Sequence, residues 1–180
     1  MRITSGRLKG RVLKIPKGIR PTQEKVRKAL FDILGDVEGL AFLELFAGSG
    51  AVGLEALSRG ARALVLVEFN RDSVQAIEEN VKRLKVKDCW LYPGAVERTL
   101  PLLQQKGQRF DIIFLDPPYY QEFSKKALQM LGAYDILAPD GLLAIQHFKR
   151  DELPKVSGEF ILVKEAKYGD TVLSFYRKKD

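Results

Sequence analysis

Ala41-Phe-Leu-Glu-Leu-Phe-Ala-Gly-Ser-Gly50 decides the fold: a short apolar run closes in a glycine-rich bend, and the helix-prone Ala51 to Arg59 follows directly. Reading Ala41 to Phe46 as a strand, a second strand follows at Ala63 to Val67. A helix from Asp72 to Leu84 is then predicted, with Val74, Ile77, Val81 and Leu84 on one face. Further strands are predicted at Cys89 to Tyr92, Phe110 to Leu115 and, after the turn Pro139-Asp-Gly141, Leu142 to Gln146; helices are predicted at Val96 to Gln105 and Ser124 to Ala133. Strands that alternate with helices, several apolar throughout, predict a mostly parallel sheet covered on both faces, a doubly wound α/β fold. The strands Phe160 to Tyr168 and Thr171 to Tyr176, joined by Gly169-Asp170, read as a closing antiparallel hairpin, which brings the expected sheet to seven strands.

The glycine bend has two readings. Gly48, Gly50 and Gly53 fit a dinucleotide fingerprint, and Glu68 stands 20 residues beyond Gly48, so a nicotinamide cofactor is one candidate. S-adenosylmethionine is the other, because it needs the same close backbone approach and the same acid for its ribose hydroxyls. Glu44 separates them. A carboxylate four residues before the first glycine would repel a pyrophosphate but could receive the ammonium of a methionine moiety.

A second stretch carries chemistry: Phe110-Asp-Ile-Ile-Phe-Leu-Asp-Pro-Pro-Tyr119. Asp116 offers a carboxylate acceptor. Pro117 offers a carbonyl held in extended backbone by Pro118, and the two acceptors can converge on one NH2 group. Tyr119 offers a flat face on which an unstacked base can rest.

The net charge of +7 is unevenly spread. Residues 1–30 hold ten Lys or Arg against the single acid Glu24, while the other 150 residues hold twenty against twenty-two acids. That is the footprint of a phosphate-binding segment on a near-neutral body. The candidate phosphate contacts, which become RNA contacts under the resemblance described below, are Arg7, Lys9, Arg11, Arg20, Thr22, Lys25 and Arg27. Turn residues between β-prone stretches predict a small N-terminal β-hairpin. A helix from Thr22 to Leu34 is expected to follow, capped by Thr22 and ended by Gly35. We therefore expect a phosphate-binding appendage over residues 1–38, RNA-binding under the resemblance described below, and a catalytic domain over 39–180.

The single Cys89 rules out an intrachain disulfide and a cysteine-based metal site, and is read as an ordinary small core residue in a reducing, cytoplasmic protein; no metal is expected. No apolar stretch has the length of a membrane span, and the N-terminus lacks a signal peptide's apolar core. Trp90 is read as packing, and His147, the only histidine, as a strand-end residue without a catalytic role.

Taken together these residues resemble class I S-adenosylmethionine methyltransferases of the Asp/Asn-Pro-Pro-aromatic type, and within them the RsmD-like bacterial 16S rRNA guanine-N2 methyltransferases. The likeness runs through Arg20-Pro21-Thr22, Val26 to Phe31, Glu44 to Gly50, Asp116 to Tyr119 and Tyr168 to Tyr176. It implies a Rossmann-like class I fold and S-adenosylmethionine as cofactor. The implied catalytic residues are Asp116, Pro117, Pro118 and Tyr119. It implies cofactor contacts at Glu44, Phe46, Ala47, Gly48, Ser49, Gly50, Glu68, Phe69 and Asn70. Relatives usually carry Asp or Asn where this chain has Pro93-Gly94-Ala95, so contacts at Gly94 and Ala95 would run through backbone alone. The implied substrate is a guanine of 16S rRNA, presented on an assembling 30S subunit to a monomeric enzyme.

Three alternatives stand beside this reading. The tetrapeptide is shared with adenine-N6 methyltransferases acting on DNA or RNA, and the glycine bend with nicotinamide-dependent oxidoreductases. The basic segment alone would also suit a catalytically silent RNA-binding assembly factor.

Overall fold

The computed structural model describes residues 1–19, 22–118 and 123–179, and the chain divides into two compact units, Met1–Val96 and Glu97–Asp180. In the first unit, helix α1 (Glu24–Leu34) precedes strand β1 (Ala41–Leu45), helix α2 (Ala51–Ser58), strand β2 (Ala63–Glu68), helix α3 (Arg71–Leu84) and strand β3 (Cys89–Pro93). The three strands run parallel in the order β3-β2-β1, with Ala41 opposite Ala63 and Leu64 opposite Cys89. All five residues of β1 and all eight of α2 are buried, which is why both read as apolar without alternation.

The second unit holds helix α4 (Val96–Gln105), strand β4 (Phe110–Leu115), helix α5 (Phe123–Leu131) and strands β5 (Leu137–Phe148), β6 (Val156–Ser157), β7 (Phe160–Tyr168) and β8 (Thr171–Lys178). β4 and β5 are parallel, whereas β5-β8, β8-β7 and β7-β6 are antiparallel, so the expected mixed sheet with a closing hairpin is present. There are eight strands among the described residues instead of seven. β6 is the addition, and two residues are too few to leave a periodic signal.

Other differences have local causes. β5 begins at Leu137, before the turn residues, because the β4 pairing jumps from Phe110 opposite Leu137 to Ile112 opposite Leu142 and the intervening residues bulge out. The N-cap of α1 falls on Gln23, with no side-chain cap, instead of Thr22, while Gly35 ends the helix at φ 74° as expected. The buried face of α3 is Ser73, Ala76, Ile77, Asn80 and Leu84, so Val74 and Val81 lie at its margin. Trp90 is not packed away: β3 ends the strand order, and the indole is 52% exposed.

The N-terminal hairpin is reduced to one antiparallel bridge, Arg2 to Val12, flanked by the bonds from Ile3 N–H to the Arg11 carbonyl and from Leu13 N–H to the Met1 carbonyl. Its turn is fastened to the end of α2. Arg7 N–H donates to the Ser58 carbonyl at 2.8 Å, and Leu8 N–H to the Ser58 hydroxyl at 2.9 Å. A Cβ at Gly6 would stand 1.8 Å from the Ser58 oxygen, so only glycine fits there.

Candidate functional site

The glycine bend lies at the carboxyl end of β1. Phe46 adopts φ 58°, a conformation that costs a non-glycine residue about 1–3 kcal/mol and swings the chain out of the strand. Ala47 N–H then bonds to the Val67 carbonyl at 3.1 Å, and Gly48 and Gly50 take φ values of 55° and 71°. Gly50 is the N-cap of α2, whose first N–H groups face the bend.

Both acids assigned to this bend are buried and hold backbone. Glu44, 4% exposed, accepts the Gly53 N–H at 2.8 Å, and a Cβ at Gly53 would lie 2.8 Å from that oxygen and 2.5 Å from Leu64. Glu68, 6% exposed, accepts Gly48 N–H at 2.7 Å on one oxygen and Phe69 and Asn70 N–H at 2.9 and 2.8 Å on the other. A carboxylate offers about four acceptor positions, so three backbone bonds leave room for one hydroxyl donor. The 20-residue spacing of Gly48 and Glu68 is thus a direct contact.

Around them, Asn70 caps α3 through Ser73 N–H at 3.1 Å, Phe69 is 65% exposed, and Gly94 N–H donates to the Glu68 carbonyl at 2.8 Å. Ala95 is half-buried beside Gly94. A depression of about 310 Å³ is lined by Phe69, Arg71, Val74, Gln75, Glu78 and Pro93. None of its walls comes from the glycine bend, so it is not the space the bend encloses.

Asn80 escaped sequence reasoning. This fully buried α3 residue donates from Nδ2 to the Ser49 carbonyl at 3.2 Å and to the Lys14 carbonyl at 3.0 Å, while its Oδ1 accepts Lys14 N–H at 2.7 Å. The only signal was a polar side chain on the face of α3 that carries Ile77 and Leu84. The burial of Cys89 pushes its thiol up to about 12, with Glu44 adding to the shift, so no thiolate forms near neutral pH.

The Asp116-Pro117-Pro118 segment lies at the carboxyl end of β4. Asp116 is half-buried, Pro117 buried and Pro118 exposed, while Tyr119 lies outside the described residues. Asp116 Oδ2 accepts a bond from Nε2 of Gln146 at 2.9 Å. Gln146 was not expected at the site, and its signal was a polar residue inside the apolar strand Leu142-Leu-Ala-Ile-Gln146. His147 points the other way, as strand alternation requires, with Nδ1 3.0 Å from the Phe148 carbonyl and Nε2 2.8 Å from the Ser174 hydroxyl. Burial lowers its pKa below 6.5.

Of the candidate RNA contacts, Arg7, Lys9, Arg11 and Lys25 are exposed and Thr22 is half-buried, while Arg20 lies outside the described residues. Arg27 is a correction. It is fully buried, 3.4 Å from Glu55, and donates to the Arg2 carbonyl at 2.6 Å. Glu55 also accepts from the Thr4 N–H and hydroxyl, so Arg27 fastens the N-terminal segment to α2 and no phosphate can reach it. Among the described residues no cluster could hold a metal ion, and no helix is long and apolar enough to cross a membrane.

Residues 1–177 match the family described as conserved hypothetical protein 95. The chain is 32% identical over 182 residues to ribosomal RNA small subunit methyltransferase D of Escherichia coli strain K12, spanning 99% of this chain and 90% of that protein. The protein of the same description from Haemophilus influenzae is 30% identical over 185 residues, spanning 98% and 93%. A solved structure of a hypothetical protein from Thermus thermophilus superposes with a TM-score of 0.87 at 36% identity, covering 98% of this chain and 99% of that one. With likeness running through both loops and nearly the whole length, the chain belongs to the conserved hypothetical protein 95 family, the RsmD-like family.

Proposed function

We propose that the protein transfers a methyl group from S-adenosylmethionine to the exocyclic N2 amine of a guanine in 16S rRNA. The observation that carries this reading is a half-buried carboxylate, Asp116, presented at a strand end in front of a rigid Pro-Pro turn, in a chain whose relatives are described as small-subunit rRNA methyltransferases. S-adenosylmethionine fits the first loop: Glu68 retains acceptor capacity for a ribose hydroxyl, and among the described residues a Cβ at Gly48 would meet Ile19 alone, at an ordinary 3.8 Å. When bound, the cofactor supplies an electrophilic methyl on a sulfonium.

The chain's own residues do the rest by positioning. An exocyclic amine is a poor nucleophile while its lone pair is delocalised into the ring. Asp116 and the Pro117 carbonyl accept its two N–H bonds, which favours a pyramidal nitrogen with an available lone pair. Tyr119 fixes the plane of the base, and no covalent enzyme intermediate is needed. Residues 1–38 act as the RNA-contacting appendage through Arg7, Lys9, Arg11, Arg20, Thr22 and Lys25, and residues 39–180 carry the transfer. The enzyme works as a cytoplasmic monomer on an assembling 30S subunit.

The test is nucleoside mass spectrometry of 16S rRNA from assembling 30S particles incubated with the protein and S-adenosylmethionine. N2-methylguanosine is expected. N6-methyladenosine in its place would move the assignment to adenine, and no methylated nucleoside would remove it. Binding of NADH but not S-adenosylmethionine in calorimetry would point to an oxidoreductase.

A further inference from the structure

We infer that Gln146 is a positioning residue that fixes the Asp116 carboxylate for its amine. This rests on the proposed reading of Asp116 as the amine acceptor. Gln146 is 3% exposed within β5 and is preceded by apolar Leu142, Leu143, Ala144 and Ile145. A buried amide in such a strand is unfavourable unless it is hydrogen-bonded, and its Nε2 bond goes to Asp116. The register places it there: Leu115 is opposite Ile145, so the next step along both parallel strands brings Asp116 beside Gln146.

The bond supplies what aspartate lacks. Rotation of a carboxylate about its last bond is broad and not held by rotamer preference, so an external donor must set the plane of the acceptor oxygens. A side-chain amide does this without a charge. A lysine or arginine in its place would pair with the carboxylate and compete with the substrate amine for it, whereas the Gln146 amide brings no charge. Gln146 need not touch the base, and it acts through Asp116.

The test uses the full chain and its RNA particle, with Gln146→Leu to remove the donor and Gln146→Glu to keep the shape while placing a second carboxylate against Asp116. For both we expect kcat to fall tenfold to a hundredfold while KM for S-adenosylmethionine stays within twofold, with Gln146→Glu showing the larger loss near neutral pH. In an Asp116→Asn background, adding Gln146→Leu should lower the residual rate by less than twofold. If Gln146→Leu is too unstable to assay, Gln146→Glu and its combination with Asp116→Asn carry the same comparison. Wild-type kcat in either variant, or losses that multiply in the double variant, would overturn the inference. A wild-type enzyme that makes no methylated amine would instead overturn the reading of Asp116 itself.

Discussion

The two loops proposed to bear the chemistry are built in opposite ways. In the glycine bend the acids Glu44 and Glu68 spend their oxygens on backbone N–H groups of the bend and the helices next to it. In the Asp-Pro-Pro turn, by contrast, Asp116 takes a bond from a side chain on another strand, Gln146. The first loop is held by its own backbone and can be assembled before any ligand arrives. The second takes a bond from a neighbouring strand and so rests on the register of β4 against β5. The comparison predicts that damage to the bend appears first as weakened cofactor affinity or stability, and damage to the turn as slower turnover.

The largest effect is expected at the turn. Asp116→Ala should lower methyl incorporation by about a hundredfold to a thousandfold, the scale of removing one organised transition-state interaction, with RNA affinity in a filter-binding assay largely kept. A variant that still turns over would place the amine elsewhere and erase the contrast between the loops.

Glu68→Gln tests the bend. A carboxamide has one oxygen, so it cannot satisfy Gly48 on one side and Phe69 and Asn70 on the other, and at least one charge-assisted bond of about 1.5–3 kcal/mol is removed. Titration calorimetry should show S-adenosylmethionine affinity falling roughly tenfold to a hundredfold. Gly53→Ala should act on stability, because its Cβ would overlap Leu64 and the Glu44 carboxylate; overpacking of this kind costs about 1–3 kcal/mol in chemical denaturation.

The same contrast explains what could be read from the chain alone. β1, β2 and β4 were legible because buried parallel strands read as continuous apolar runs, and the placement of Glu44 and Glu68 because both touch backbone of the glycine bend or the helix that follows it. Gln146 was not, since its meeting with Asp116 depends on the register of β5, and the bulge after Leu137 hid where that strand begins. Arg27 was misassigned for a related reason: in a segment with nine excess positive charges, nothing local distinguishes the arginine that pairs with buried Glu55 from those facing solvent. Arg7, Lys9 and Arg11 are exposed together in the N-terminal segment. Replacing all three with glutamine should flatten the salt dependence of RNA binding by about 0.7 in log–log slope for each phosphate no longer neutralised.

The smallest effect sharpens the comparison at a single strand. Gln146 and His147 are neighbours on β5 with opposite facings, the first on Asp116 and the second on Ser174, whose hydroxyl lies 3.2 Å from Glu165. The Nδ1–H donates to the Phe148 carbonyl, and burial favours the neutral form of the ring. Because the folded pKa lies below 6.5, the unfolded chain binds the proton first as pH falls. Stability should therefore drop below about pH 6.5, by at most about 1.4 kcal/mol per unit until the folded ring also protonates. In urea unfolding at pH 7.5 and 5.5, His147→Gln should lose that increment while kcat at neutral pH stays at the wild-type value. A fall in kcat would mean that the Asp116 turn is supported from both faces of β5.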